Sequence, residues 1–253
     1  MQFGSTNAPA YFQEFIHNTI TEGFDNIASY YLNDLLIYSS SEEEHLGHIQ
    51  WIIQHLFEAR LYMKLDNCEF HMETVQYRGF ILSTTGNSMD DDMVETVRNW
   101  SCEKKTKNGR LNNFFDIHQF LRFCNYFLHF ILKDLEKGEP FTKLTKRDEP
   151  FEWEAEQQLA FEMMIKAFTT APVLCHFDHQ REVIIAIDAS DNVSAGVLSH
   201  YHHCGVLHAV GYISKKHTPA KCNYDIYNEE LMPIIQALEE WRPECDGAAY
   251  ALQ

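Results

Sequence analysis

Three apolar runs in close succession constrain the second half of this chain more than any other feature. They are EVIIAIDAS (182–190), SAGVLSHY (194–201) and VLHAVGYISKK (206–216). Each is short, rich in β-branched residues and bounded by polar or glycine positions, so they read as consecutive strands. A helical pattern begins near Asn228, which makes a β-β-β-α run. Asp188 closes the first strand, and Glu229 and Glu230 sit in the first turn of that helix. A carboxylate at the end of a buried strand is costly without a ligand or partner. Carboxylates in this arrangement suit a divalent cation such as Mg²⁺. The plainer account is that strand-end and helix-N-terminal acids do only structural work.

The first half carries a different pattern. Asn7 can cap a helix from Ala8-Pro9 towards Ile20, with Tyr11, Phe12, Phe15 and Ile16 on its apolar side. SYYLNDLLIYSS (29–40) then reads as a β-hairpin with an Asn33-Asp34 tip. Asn and Asp suit turns for their own sake. The alternative is that a carboxylate pair belongs at this tip to hold a metal and that one member is an amide. A Ser41-capped helix follows, with Leu46, Ile49, Ile53, Leu56 and Phe57 at helical spacing. In VQYRGFILSTTGN, Gly79 falls inside a strand and Gly86-Asn87 marks a stop. MDDDMVETVRNW is a third helix, and the polar linker SCEKKTKNGRLNN carries Lys104, Lys105, Lys107 and Arg110. An aromatic helix from Phe114 to Ile131 and another near Glu154 to Thr169 complete the helical region. The aromatic stripe reads as core before it reads as a platform for bases.

Composition narrows the function classes. A 45% hydrophobic content is globular. A net charge of −17 argues against tight nucleic-acid binding, although a local basic groove can coexist with acidic surfaces. The four cations of the linker are the one dense basic track, with a solvated linker as the plainer account. Seven scattered cysteines without a C-x-x-C pair fit reduced thiols. The N-terminal stretch has no secretory pattern, and no apolar run reaches membrane-span length. The expectation is a cytoplasmic or nuclear protein that is not secreted. His45 with His48, and His202-His203-Cys204, are candidate zinc ligands that lack a second ligand pair at a fixed spacing.

Taken in order, these segments resemble the pol polyprotein of gypsy-type LTR retrotransposons. FGSTNAPAYFQ is similar to F-G-L-x-N-A-P-x-x-F-Q at the nucleotide pocket, where Phe3 and Gly4 fall. YLNDLLIYS is similar to Y-L-D-D-x-L-I-Y-S, the metal-binding hairpin, and EEEHLGHI and KLDNCEF follow as in the family. YRGFILS resembles the primer-grip hairpin, F-L-G-x-x-I-S, and assigns Tyr77, Arg78, Gly79 and Phe80 to it. FLRFCNYFLHFI is similar to the thumb motif F-L-G-x-x-N-Y-Y-R-x-F-I. PFEW, TAPVL, DASDNVSAGVLS, YISKK and CNYDIYNEELM match the connection and the start of RNase H. The match is collinear over nearly the whole chain.

The resemblance implies an α+β fold: a partial reverse-transcriptase palm and helical thumb followed by a truncated RNase H-like β-β-β-α domain. The implied boundaries are 1–83 for the partial palm, 84–150 for the thumb-like region, 151–180 for the connection and 181–253 for the RNase H-like domain. It implies two-metal phosphoryl transfer on RNA–DNA hybrid or template-primer, with Mg²⁺ or Mn²⁺ as cofactor. Asp34 and the degenerate Asn33 stand for the polymerase pair, and Asp188 and Glu230 for the RNase H acids. Metal ligands are therefore expected at Asp34, Asp188 and Glu230.

An amide is a neutral, weaker ligand for a hard cation. A loss of about 3–5 kcal/mol at the transition state slows the reaction roughly 10²–10⁴-fold. The third polymerase Asp of the family is expected upstream of Met1, and its later RNase H acids beyond Gln253. Gln2 replaces a usual Pro, and Arg78 stands where the family has an apolar residue. Pro233 falls inside a helix at a cost of about 3 kcal/mol. The expectation is an enzyme fragment by descent with deficient catalysis. The alternatives are a non-catalytic nucleic-acid-binding module, or an assembly module that docks on a complete reverse transcriptase.

Overall fold

The computed structural model describes residues 7–23, 26–100, 113–131, 139–145, 151–189, 193–202, 205–217 and 226–246. The fold is α+β, and the chain divides into two compact units, Met1–Tyr77 and Arg78–Gln253.

The first unit contains α1 (Ala8–Ile20), the hairpin strands β1 (Ala28–Tyr31) and β2 (Asp34–Ile37), α2 (Glu42–Glu58) and β3 (Thr74–Tyr77). Pro9 in the first turn of α1 removes only a donor the helix would leave unpaired. Asn7 occupies the N-cap without a side-chain bond. Ser41 caps α2 as its sequence requires, accepting from the Glu44 amide at 3.3 Å. The core is Ile16, Ile20, Ala28, Tyr30, Ile52 and Leu56, with Phe12, Leu35, Ile37 and Trp51 packed against it.

The buried helix faces differ from those expected. In α1 the face toward the hairpin is Gln13, Ile16, His17 and Ile20, while Tyr11 and Phe15 are exposed. The reason is that Gln13 and His17 bond to the hairpin, which a hydrophobicity pattern cannot register. In α2 the buried pair is Ile52 and Leu56, and Leu46, Ile53 and Phe57 are exposed.

The second unit opens with the turn Arg78-Gly79 and the strands β4 (Phe80–Ser83) and β5 (Gly86–Met89), which pair antiparallel from Phe80↔Met89 to Ser83↔Gly86. Arg78 and Gly79 both lie at positive φ, 54° and 81°, so Gly79 belongs to a turn and not to a strand interior. Gly86-Asn87 is not a stop either. It starts β5, and Asn87 bridges to Leu174. Helices α3 (Asp91–Arg98), α4 (Phe114–Tyr126), α5 (Glu139–Leu144) and α6 (Ala155–Thr169) follow. The aromatic helix α4 stops at Tyr126 and passes into a short tighter turn, Leu128–Phe130, so it is shorter than its pattern. These elements enclose a core that includes Trp100, Ile117, Phe120, Phe130, Phe141 and Phe161.

The strands β6 (Val183–Ala189), β7 (Val193–Tyr201) and β8 (Leu207–Lys216) form an antiparallel sheet in that order. Helix α7 (Ile226–Glu240) begins two residues before Asn228 and runs through Pro233, and α8 (Arg242–Asp246) follows. Val183, Leu198, Ile213, Ala237 and Trp241 form the core of this region. The linker cations and the pair His203-Cys204 lie outside the described residues.

Candidate functional site

The hairpin tip is one residue earlier than the sequence suggests. Tyr31 pairs with Asp34, so Leu32 and Asn33 form the two-residue loop and Asp34 starts β2. Leu32 takes φ 53°. That is the first loop position of a tight hairpin, where glycine is the usual choice. A left-handed conformation costs a non-glycine residue about 1–2 kcal/mol. Gln13 of α1 meets that cost: its Oε1 accepts from the Leu32 amide at 2.7 Å and its Nε2 donates to the Tyr30 carbonyl at 3.4 Å. One turn later, His17 Nδ1 hydrogen-bonds the Tyr30 hydroxyl. Neither Gln13 nor His17 is marked as functional by its residue type. The signal is their spacing with Ile16 and Ile20, positions 13, 16, 17 and 20 on one face.

At the tip itself, the side chains of Asn33 and Asp34 are exposed, and Asn33 Nδ2 donates to Asp34 Oδ1 at 3.1 Å. A cation shared by two carboxylates needs anionic oxygen from both. Here one position instead directs a donor at the other, so the donor set does not fit a two-cation site. Phe3 and Gly4 of the nucleotide-pocket motif lie outside the described residues.

Of the primer-grip residues, Tyr77 ends β3 and the other three belong to the second unit. There the Tyr126 hydroxyl donates to the Arg78 carbonyl at 3.1 Å, and the Arg78 guanidinium lies 5.9 Å from the Tyr126 ring centroid. Phe80 packs among Tyr126, Phe127 and Phe130 with ring separations of 5.3–5.5 Å. The turn is thus fixed from beneath by α4, and Arg78 is presented on an aromatic ring.

Asp188 pairs with Ala195 one residue before β6 ends. It is exposed, which corrects the expectation of a buried, costly carboxylate. Strand alternation is the reason: Val183, Ile185 and Ile187 enter the core and Asp188 falls on the other parity. Glu230 lies on α7, and its side chain is outside the described residues. Among the described residues no three His, Cys, Asp or Glu side chains form a group that could hold a metal ion. His45 and His48 both turn Nδ1 to the Ser39 hydroxyl, at 3.1 and 2.7 Å.

His200, on β7, is a buried titratable group without a motif in the sequence to mark it. Its Nε2 accepts the Asp178 amide at 3.2 Å, so the neutral ring carries its proton on Nδ1, which has no partner among the described residues. Burial first, and then the positive charge of Arg181, push this imidazole below its ordinary value, while Asp178 opposes the shift. The folded chain holds His200 neutral where the unfolded chain takes up a proton. Stability is therefore fully present above the ordinary value of 6.5 and falls as pH drops below it. His200→Gln, which keeps the acceptor without titrating, is expected to flatten the fall in urea midpoint between pH 7 and pH 5.

The chain matches the family model of reverse transcriptase (RNA-dependent DNA polymerase) over residues 1–82, and that of the RNase H-like domain found in reverse transcriptase over 153–251. It is 34% identical over 242 residues to the Transposon Tf2-3 polyprotein of Schizosaccharomyces pombe (strain 972 / ATCC 24843), covering 96% of this chain and 18% of that one. The Transposon Tf2-7 polyprotein of the same organism is 33% identical over the same length and shares. The chain thus spans less than a fifth of the length of the curated relatives it matches. The foamy viral protease-reverse transcriptase in complex with RNA/DNA hybrid has the same fold, with TM-score 0.75 at 18% identity, over 100% of this chain and 33% of that one. The same viral protein in complex with dsDNA gives 0.75 and 18%, over 100% and 50%. Its two matched regions are those of a reverse transcriptase and of the RNase H-like domain found in reverse transcriptase, in the company of retrotransposon polyproteins similar to 96% of its length.

Proposed function

We propose that this chain is a gypsy-type reverse transcriptase and RNase H-like region whose polymerase hairpin no longer supports metal-dependent nucleotidyl transfer. The observation that carries this reading is the Asn33 amide donating to Asp34 in place of a second carboxylate. The hairpin keeps its register and its packing, so the loss lies in ligand chemistry. The organisation we assign is a partial palm over residues 1–83, a thumb-like region over 84–150, a connection over 151–180 and an RNase H-like domain over 181–253, in a cytoplasmic or nuclear protein. In that last domain Asp188 and Glu230 are the residues we assign to Mg²⁺ or Mn²⁺, which when bound would polarise a phosphodiester and activate water. The purified chain, given a primed RNA template with either cation, is expected to extend no primer. Detectable extension overturns the reading.

Binding without chemistry is the second reading. The Arg78-Gly79 turn, held under Tyr126, favours it, because it presents a cation on a fixed aromatic support. The viral relatives of this fold were solved on RNA/DNA hybrid and on dsDNA. Fluorescence anisotropy with an RNA–DNA hybrid at about 50 and about 200 mM salt is the test. Arg78→Met is expected to lower the salt slope by about one. Binding that is absent, or indifferent to salt, removes this reading.

A further inference from the structure

The polymerase hairpin keeps a demanding conformation at its tip. Leu32 sits in the left-handed region, where a leucine has no intrinsic preference, and Asn33 and Asp34 follow it directly. Three contacts from α1 converge on this strand pair. Ile16 and Ile20 share the buried core with Ala28 and Tyr30, His17 bonds the Tyr30 hydroxyl, and Gln13 reaches the tip. Gln13 bonds to the loop itself, at the Leu32 amide. Its side-chain amide spans Tyr31, taking the Leu32 N–H on one atom and giving a proton to the Tyr30 carbonyl with the other. That is the pair of backbone groups whose directions set the entry into the loop.

We propose that Gln13 is a positioning residue for the hairpin tip. It holds Leu32 left-handed, and so fixes where Asn33 and Asp34 stand, in a tip whose own side chains bond to each other. The role follows from what a glutamine can do and its neighbours cannot. An aliphatic residue at this place on the α1 face would pack on the hairpin as Ile16 does, but would leave the Leu32 amide unpaired in a half-buried position. A glutamate would still accept from Leu32 and would lose only the longer bond to Tyr30. The inference rests on the reading of this hairpin as a former metal site, which it deepens: the tip stays shaped for ligands although one of them has changed.

The test is amide hydrogen exchange by NMR on the whole chain, comparing Gln13→Met, Gln13→Glu and the unchanged protein. In Gln13→Met, Leu32 N–H exchange is expected to quicken about fivefold to tenfold, the measure of one lost hydrogen bond. The core amides of Ala28 and Ile52 should hold their rates, and Gln13→Glu should restore most of the Leu32 protection. Equal acceleration at Leu32, Ala28 and Ile52 would mean a merely structural residue, and no change at Leu32 would mean no clamp; either overturns the proposal. Mn²⁺ titration of Asn33→Asp, read by paramagnetic broadening at residues 31–35, separates this from the underlying reading. Broadening that appears in Asn33→Asp and is lost on adding Gln13→Met supports both. If Asn33→Asp shows none while Leu32 behaves as expected, the former metal site falls and the clamp stands.

Discussion

Replacing Phe120 by alanine destabilises the second unit by about 3–5 kcal/mol, the range for emptying a buried aromatic site. Phe120 is fully buried on α4, and its ring stands 5.4 Å from Trp100, 4.9 Å from Phe161 and 6.3 Å from Phe141. Those three rings come from just beyond α3, from α6 and from α5, so one side chain joins four segments of the chain. A cavity there cannot close by moving a single neighbour, because each wall is itself fully or nearly fully buried. Urea unfolding followed by tryptophan fluorescence reads the loss, since Trp100 is in direct contact. Phe115→Ala is the control: that ring, on the same helix, is 72% exposed and its removal should change stability by less than about 0.5 kcal/mol. Similar losses for the two variants would mean that α4 packs through a different face.

The contrast between Phe120 and Phe115 also shows how far the sequence can be read. Short apolar runs rich in β-branched residues and bounded by polar or glycine positions are hard to misread, and β6, β7 and β8 fall where the three runs stand. Side-chain caps are local chemistry, so Ser41 starts α2 as expected, and Asp90 caps α3 in the same way. An aromatic run does not declare which rings face inward, because rings at adjacent positions on one helix look alike until the partners are known. The hairpin tip falls one residue early for a related reason. Its conformation depends on Gln13, 19 residues away, and a turn rule that reads four residues cannot include that bond. At the candidate site the Asn33–Asp34 contact is legible because the two are neighbours. The exposure of Asp188 follows from strand parity, which a count along the strand gives. Gly86 reads as a stop because its true reason lies in the backbone of a segment 88 residues downstream.

That position supplies a second large effect. Gly86→Ala is expected to cost about 2–4 kcal/mol, from a steric clash together with weakened backbone bonds. A Cβ on Gly86 would lie 2.2 Å from the Leu174 carbonyl oxygen, a distance no native contact tolerates. The Leu174 carbonyl accepts from the Asn87 amide at 2.8 Å, and the Leu174 amide donates to the Asn87 carbonyl at 2.9 Å. The next two residues continue the strap: the Cys175 amide donates to the Ala209 carbonyl of β8 at 2.9 Å, and His176 Nε2 bonds the Ser83 carbonyl of β4 at 2.6 Å. Residues 174–176 thereby tie the β4–β5 hairpin to the β6–β7–β8 sheet, which is how the turn bearing Arg78 and the strand bearing Asp188 come to share one compact unit. Pushing Leu174 away from Gly86 loosens both ends of that tie. Hydrogen exchange should show Asn87, Leu174 and Cys175 losing protection together, with urea unfolding giving the size of the loss. Gly205→Ala is the comparison, since Gly205 also has positive φ, 75°, but open space around it, so its cost is conformational and about 1 kcal/mol. A Gly86→Ala chain no less stable than Gly205→Ala would show that the strap does not depend on the close approach at Gly86, and that the hairpin and the sheet are held together by the aromatic core alone.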